Sequence, residues 1–344
     1  MPLTIPFPSW LKPEVIPGLP VRWYGLMYVF AFGTAYLLYR RQVKERNFPM
    51  NDDQLSGLFF WGILALLVGA RLFSTLVYET SNIYWTKPWL IFWPFRNGKF
   101  TGFQGMSYHG GVFGGLAAVI VYAKAKGFRF REICDMFVAA IPLGYTFGRI
   151  GNFINAELYG RVTASPLGMI FPNAATVPAS ESWVQEIAEK TGVALSGAYV
   201  NLPRHPSQLY EAFFEGIALW AIIWFFRNRK PFKGFLIGLY FMGYGFFRFF
   251  IEYFREPDED LGYRVEFVKN SLPPAYSHPP FSFSTGQIFC FIMILFGVIW
   301  TIIASRLPDK EPVRVYGIAE KKKISKEELQ AERNKRRKLR KKLR

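Results

Sequence analysis

Hydrophobic positions along this chain do not fall in stripes of helical or strand period. They accumulate in long runs almost free of charge, each near the ~20 residues that a helix needs to cross a hydrocarbon layer. Seven runs are expected to be membrane-spanning helices: Val21 to Tyr39, Leu55 to Tyr78, Met106 to Ala123, Ile133 to Ile150, Ser207 to Phe226, Gly234 to Phe254 and Ser284 to Ser305. The first twenty residues are Pro-rich and lack the basic stretch of a cleaved signal peptide. The link at about 79–105 carries Tyr84, Trp85, Trp89, Phe92, Trp93 and Phe95, which suits the headgroup level of a bilayer. In the longest link, about 156–206, Ser182 is followed three residues later by Gln185 and closed by Gly192. That pattern predicts a short helix capped by Ser182. A third, Pro-rich link spans about 256–283 and holds His278, which is expected to be solvated.

Charge gives the runs a direction. The links after segments one, three and five each carry four Lys or Arg, whereas the other links, though long, carry few. From Arg306 to Arg344 there are 16 Lys and Arg against 6 Asp and Glu, so this tail holds +10 of the total +17. Basic residues mark the cytoplasmic side, which puts the C-terminus inside and, with seven spans, the N-terminus outside. The expected architecture is an all-α integral membrane protein, with a catalytic body at 1–305 and a basic cytoplasmic tail at 306–344. An ordinary soluble enzyme, a disordered chain and a disulfide-stapled domain are excluded. Cys134 and Cys290 fall at different depths and read as small buried hydrophobes. For the tail, a solvated face and attraction to membrane lipids rank ahead of nucleic acid, which is not expected as a partner.

Orientation converts sequence position into depth. Tyr24 opens segment one, His109 opens segment three, His205 with Gln208 and Glu211 opens segment five, Arg149 ends segment four, and Arg248 and Glu252 lie late in segment six. Ionisable side chains in lipid are costly, so their convergence on the outer half, with almost nothing comparable in the inner half, marks a functional site. Tyr244, Arg248, Glu252 and Arg255 recur at four, four and three residues and share one helix face. The plain alternative for them is a self-neutralising ladder between helices. Gly110 with Gly114, and Gly111 with Gly115, are expected to allow close helix packing. The three His have no ligand spacing for a metal, and none is expected.

The run G-R-I-G-N-F-I-N-A-E-L-Y-G-R at 148–161 is the most informative stretch. It brings Arg149, Asn152, Asn155 and Glu157 together among glycines that free the backbone to bend. A guanidinium there suits a phosphate, which it can hold through two parallel hydrogen bonds. The residues by themselves point to a lipid-phosphate site at the outer leaflet.

That run resembles the diagnostic motif of the bacterial prolipoprotein diacylglyceryl transferases. So do R-W-Y-G-L-M-Y at 22–28, Y-H-G-G at 108–111, R-H-P-S-Q-L-Y-E at 204–211 and G-Y-G-F-F-R-F-F-I-E-Y-F-R-E-P at 243–257, in family order. The basic tail and the long link before segment seven depart from the pattern. The resemblance implies a seven-span enzyme of the bacterial cytoplasmic (inner) membrane. It would move the diacylglyceryl group of phosphatidylglycerol to the lipobox cysteine in the signal peptide of a prolipoprotein, forming a thioether and releasing glycerol phosphate, without cofactor. Carried over as catalytic residues are His109, Arg149, Arg248, Tyr24 and Glu252. Arg149, Asn152, Glu157, Gly160, His205, Tyr244, Arg248 and Arg255 are carried over as phosphatidylglycerol-binding. Two rivals make different demands: a transporter needs polar residues continuing inward, and a metal-dependent lipid-phosphate transferase needs a clustered acidic motif within the spans.

Overall fold

The computed structural model describes residues 4–16, 21–96, 98–100, 102, 105–256, 263–266, 273, 276, 279 and 281–308. His278 and the tail beyond residue 308 lie outside the described residues. Each of the seven apolar runs folds as helix, and local chemistry sets the ends. Helix α1 spans Trp23–Glu45, six residues past the expected Tyr39. An Arg41–Glu45 pair and a buried hydrogen bond from Gln42 to the Met136 carbonyl carry it on. Helix α2, Asp52–Phe73, starts on a reciprocal Asn51–Gln54 cap and continues as a wider π-helical turn over Ser74–Tyr78. A short helix α3, Ile83–Thr86, follows.

Helix α4, Tyr108–Lys126, is capped by the Ser107 side chain and stopped by left-handed Gly127. It lies closely along α2, where a Cβ on Gly110 or Gly114 would strike the backbone at Gly69 or Ala65, so close packing is the role of that pair. At Gly111 and Gly115 a methyl would meet only ordinary contacts.

The expected fourth segment is two helices, α5 at Phe130–Val138 and α6 at Ile141–Ile154, bent by 42° at the break between them. Pro142 in the first turn of α6 has no N–H to continue the ladder from α5. Helix α7, Ser182–Thr191, ends at left-handed Gly192 as expected, but its cap position is Glu181 and Ser182 is already helical. The fifth run opens as α8, Ser207–Glu211, widens into a π-helical turn over Ala212–Ala218 and closes as α9, Leu219–Phe226. Helices α10, Phe235–Ile251, and α11, Thr285–Arg306, complete the bundle.

Asp52–Tyr78, Ser207–Phe226 and Thr285–Arg306 are each long and apolar enough to cross a membrane, and the bent α5–α6 pair passes the same test as one span. Phe289, Phe291, Ile292, Leu295 and Phe296 of α11 are exposed, as suits a lipid-facing surface. Outside the bundle, short strand pairs join Ile5–Pro6 to Met169–Ile170 and Val177–Pro178 to Tyr199–Val200. They frame a small core of Val162, Val184, Ile187 and Leu202. Asp135 is fully buried, accepting from Lys230 Nζ at 2.6 Å and from the Gly234 and Leu236 amides at the start of α10. It is a charged cap for the start of α10.

Candidate active site

Four-residue spacing places Tyr145, Arg149 and, one turn on, Asn152 along one face of α6. On the facing span, Glu211 and Glu215 sit on successive turns where the helix widens, and both are fully buried. From α10, Arg248 points to the same place. Arg149 Nη2 lies 2.9 Å and Arg248 Nη1 3.1 Å from one oxygen, Glu211 Oε2, with Arg255 Nη1 at 3.5 Å. Arg248 also pairs with Glu252 at 3.1 Å and with Glu215 at 3.6 Å. The Tyr145 hydroxyl accepts from Arg149 Nε at 2.6 Å and donates to Glu215 Oε2 at 2.6 Å. Three guanidiniums thus enclose three carboxylates, and water reaches little of them. Glu252 is anchored in turn by Ser284 Oγ, at 3.0 Å, which also caps α11.

Beside this cluster, the loop after α6 presents Glu157. Its Oε1 accepts from Asn152 Nδ2 at 2.9 Å and from Asn155 Nδ2 at 3.2 Å, while Arg149 Nη1 reaches Asn152 Oδ1 at 3.5 Å. Glycine was the expected source of flexibility here, yet the left-handed residues are Ala156 (φ 51°) and Leu158 (φ 55°), on either side of Glu157. Each costs on the order of 1 kcal/mol or more, the kind of strain held where a side chain must be aimed.

Gly160 acts through its backbone. Its N–H donates to the His205 carbonyl at 2.8 Å, Arg161 N–H donates to the Phe254 carbonyl at 2.9 Å, and a Cβ on Gly160 would collide with that carbonyl. The 148–161 run, the 204–211 run and the end of α10 are therefore tied together above the cluster. Arg204, fully buried, reinforces the tie through Glu256 at 2.6 Å and through the ring of Tyr159. His205 sits half-buried against Phe254 and Tyr210. Burial, with the Arg161 charge nearby, pushes its imidazole down to about 4.

The remaining expected residues lie further out. Tyr24 meets Tyr28 through their hydroxyls at 3.2 Å, and its ring lies near the Gly151 backbone. Tyr244 stacks with Tyr240 and meets Tyr145 edge-on. His109, at the exposed start of α4, pairs through Nδ1 with the Tyr78 hydroxyl at 2.7 Å, and its hydrogen bonding does not join the arginine–carboxylate cluster. Tyr145 and Glu215 are not among the residues expected from the sequence, and Glu211 is not singled out there as the hub. The signal was present: two carboxylates four apart inside an apolar run, and a tyrosine four residues before the key arginine. Among the described residues, no group of three His, Cys, Asp or Glu side chains is arranged to hold a metal ion. The central carboxylates are engaged by arginines. Such a nest is chemically suited to stabilise an anion in place of Glu211, or a negative charge that grows beside it.

Residues 14–303 match the family model described as prolipoprotein diacylglyceryl transferase. The chain is 54% identical over 315 residues to a protein of Treponema denticola, with 85% of this chain and 92% of that protein covered. It is 51% identical to one of Treponema pallidum (91% and 98% covered) and 41% identical to one of Chlorobaculum tepidum (85% and 89% covered). All three carry the name phosphatidylglycerol–prolipoprotein diacylglyceryl transferase.

Proposed function

The chain belongs to the prolipoprotein diacylglyceryl transferase family, and from that membership and the geometry above we infer that it transfers the diacylglyceryl group of phosphatidylglycerol to the lipobox cysteine of prolipoproteins. The observation that carries this reading is the gathering of Arg149, from the 148–161 run, with Arg248 and Arg255 around Glu211. In the reaction the cysteine sulfur attacks the glyceryl carbon that bears the phosphate. The C–O bond breaks with its electron pair left on the phosphate oxygen, a C–S thioether forms, and glycerol phosphate departs with one more negative charge than the bound diester.

Arg149 and Arg248 stabilise that added charge, with Glu252 orienting Arg248, and this is where fixed donors lower a barrier most. Asn152, Glu157, Tyr244 and Arg255 shape the headgroup site, Tyr24 lines it, and Gly160 and His205 hold its backbone frame. The sulfur reacts as thiolate. His109, paired through Nδ1 with the Tyr78 hydroxyl at 2.7 Å, takes its proton in the tautomer that donates Nδ1–H to Tyr78 and leaves the Nε2 lone pair free. No cofactor enters these steps.

The same reading includes seven spans in the bacterial cytoplasmic membrane, with the N-terminus and the site toward the outer leaflet. The body at 1–305 is catalytic, and the tail at 306–344 stays on the cytoplasmic side. Its support is the distribution of Lys and Arg among the links. The test is release of glycerol phosphate from headgroup-labelled phosphatidylglycerol by purified protein. Release that requires a lipobox peptide with a free thiol supports the reading, and release indifferent to the thiol contradicts it.

A further inference from the structure

Tyr145 occupies a position that neither the motif at 148–161 nor the expected site residues include. Its ring lies under the Arg149 guanidinium, 4.9 Å from ring centre to the central carbon, and its hydroxyl meets Arg149 Nε at 2.6 Å. The same hydroxyl donates to Glu215 Oε2 at 2.6 Å and lies 3.3 Å from Glu211 Oε2. Glu215 reaches Arg248 at 3.6 Å. The two arginines are therefore joined twice, directly through Glu211 and indirectly through Tyr145 and Glu215. With one face of Arg149 covered, Nε held by the hydroxyl and Nη2 by Glu211, only Nη1 is loosely engaged, at 3.5 Å from Asn152 Oδ1.

Resting on the function proposed above, we propose that Tyr145 is a positioning residue: its hydroxyl, anchored by Glu215, fixes the orientation in which Arg149 offers its Nη1 edge to the substrate phosphate. An arginine side chain has several rotatable bonds, and a long side chain held at one nitrogen sweeps a wide arc. Pinned at Nε, Nη2 and one face, it retains a single pose before the substrate arrives. Misplacement of a charge-stabilising donor by about 1 Å costs on the order of a hundredfold in rate. The competing role is purely structural, in which the hydroxyl merely satisfies a buried Glu215 and any loss of rate follows loss of folded protein.

Tyr145→Phe removes the hydroxyl and keeps the ring. Normalised to folded protein, its kcat is expected to fall roughly ten- to a hundredfold, while KM for phosphatidylglycerol changes less than about threefold. Glu215→Gln, which keeps the volume but weakens the acceptor, should give a smaller loss of kcat. In an Arg149→Lys background Tyr145→Phe should add little, because lysine has no Nε to hold. A Tyr145→Phe protein with kcat within twofold of wild type, or full multiplicative losses with Arg149→Lys, overturns the positioning role. If Tyr145→Phe does not fold, a Glu215→Gln protein that folds and turns over at the wild-type rate overturns it equally. A wild-type protein that transfers nothing overturns the proposed function and this role with it, whereas an active wild type beside an equally active Tyr145→Phe overturns this role alone.

Discussion

Arg149 and Arg248 converge on a single carboxylate oxygen, Glu211 Oε2, at 2.9 and 3.1 Å. They come from different helices, α6 and α10, and each buried charge in the cluster is met by at least one opposite charge. Opposite charges on every side keep the arginines in place while the substrate is absent. A phosphate entering between them competes with Glu211 for the same donors. On the proposed reading the donors are thus already aimed when charge grows on the leaving oxygen.

Arg149→Lys keeps the charge and discards the planar, two-pronged donor, and lysine cannot hold Tyr145 and Glu211 together. Its initial rate on lipobox peptide is expected to fall roughly ten- to a thousandfold, about 1.4–4 kcal/mol of transition-state stabilisation, at normal membrane insertion. A Lys variant with near-wild-type rates across a range of phosphatidylglycerol concentrations removes the phosphate-clamp role.

Arg248 and Glu252 stand one helical turn apart and meet at 3.1 Å. If the carboxylate serves to orient the guanidinium, Arg248→Ala and Glu252→Ala each cripple turnover, and the double variant is little worse than the more damaging single change. Turnover measured through the full double-mutant cycle decides this, and additive losses would assign the two residues independent roles.

Gly160→Ala should damage the fold more than the chemistry. The new methyl runs into the Phe254 carbonyl and lies 2.9 Å from both Cβ and the carbonyl oxygen of His205. An expected loss of roughly 1–3 kcal/mol appears as a lower unfolding midpoint in detergent. An unchanged midpoint would mean that the three backbone runs are not held as tightly as their hydrogen bonds indicate.

His205 should remain neutral at physiological pH. Its folded value of about 4 lies below the ordinary 6.5, so folding disfavours the proton. The contribution to stability is fully present above about 6.5 and is lost as pH falls toward 4. With only three His in the chain, the imidazole resonances can be followed separately through a pH titration. A His205 midpoint near 6.5 would contradict the buried, Arg161-facing environment.

The helices were legible because lipid-compatible runs are long and uncharged, while their ends were not, because ends are set by single contacts. Gln42 carries α1 past its apolar run, the Asn51–Gln54 cap moves the start of α2, and Pro142 breaks the fourth run in two. Within the site, the Arg248–Glu252 pair was legible from helix spacing, whereas α10 ends at Ile251 and Arg255 reaches the cluster from beyond it. Glu211 and Glu215 were visible as carboxylates in an apolar run, but which oxygen gathers the arginines depends on three helices meeting. The left-handed turn at Ala156 and Leu158 was hidden, since local preference assigns such backbone to the neighbouring glycines. His109 shows another limit: its place at the start of a helix was readable, but its hydrogen bond to Tyr78 was not.

The central claim is tested most directly by mixing the purified protein with phosphatidylglycerol and a peptide carrying a lipobox cysteine, and weighing the peptide by mass spectrometry. The account predicts a gain of one diacylglyceryl unit on the cysteine sulfur, retained in neutral hydroxylamine, which cleaves a thioester but leaves a thioether intact. It also predicts that the gain is absent when that cysteine is replaced by serine. An unmodified peptide with folded protein, or a label that neutral hydroxylamine removes, would contradict it.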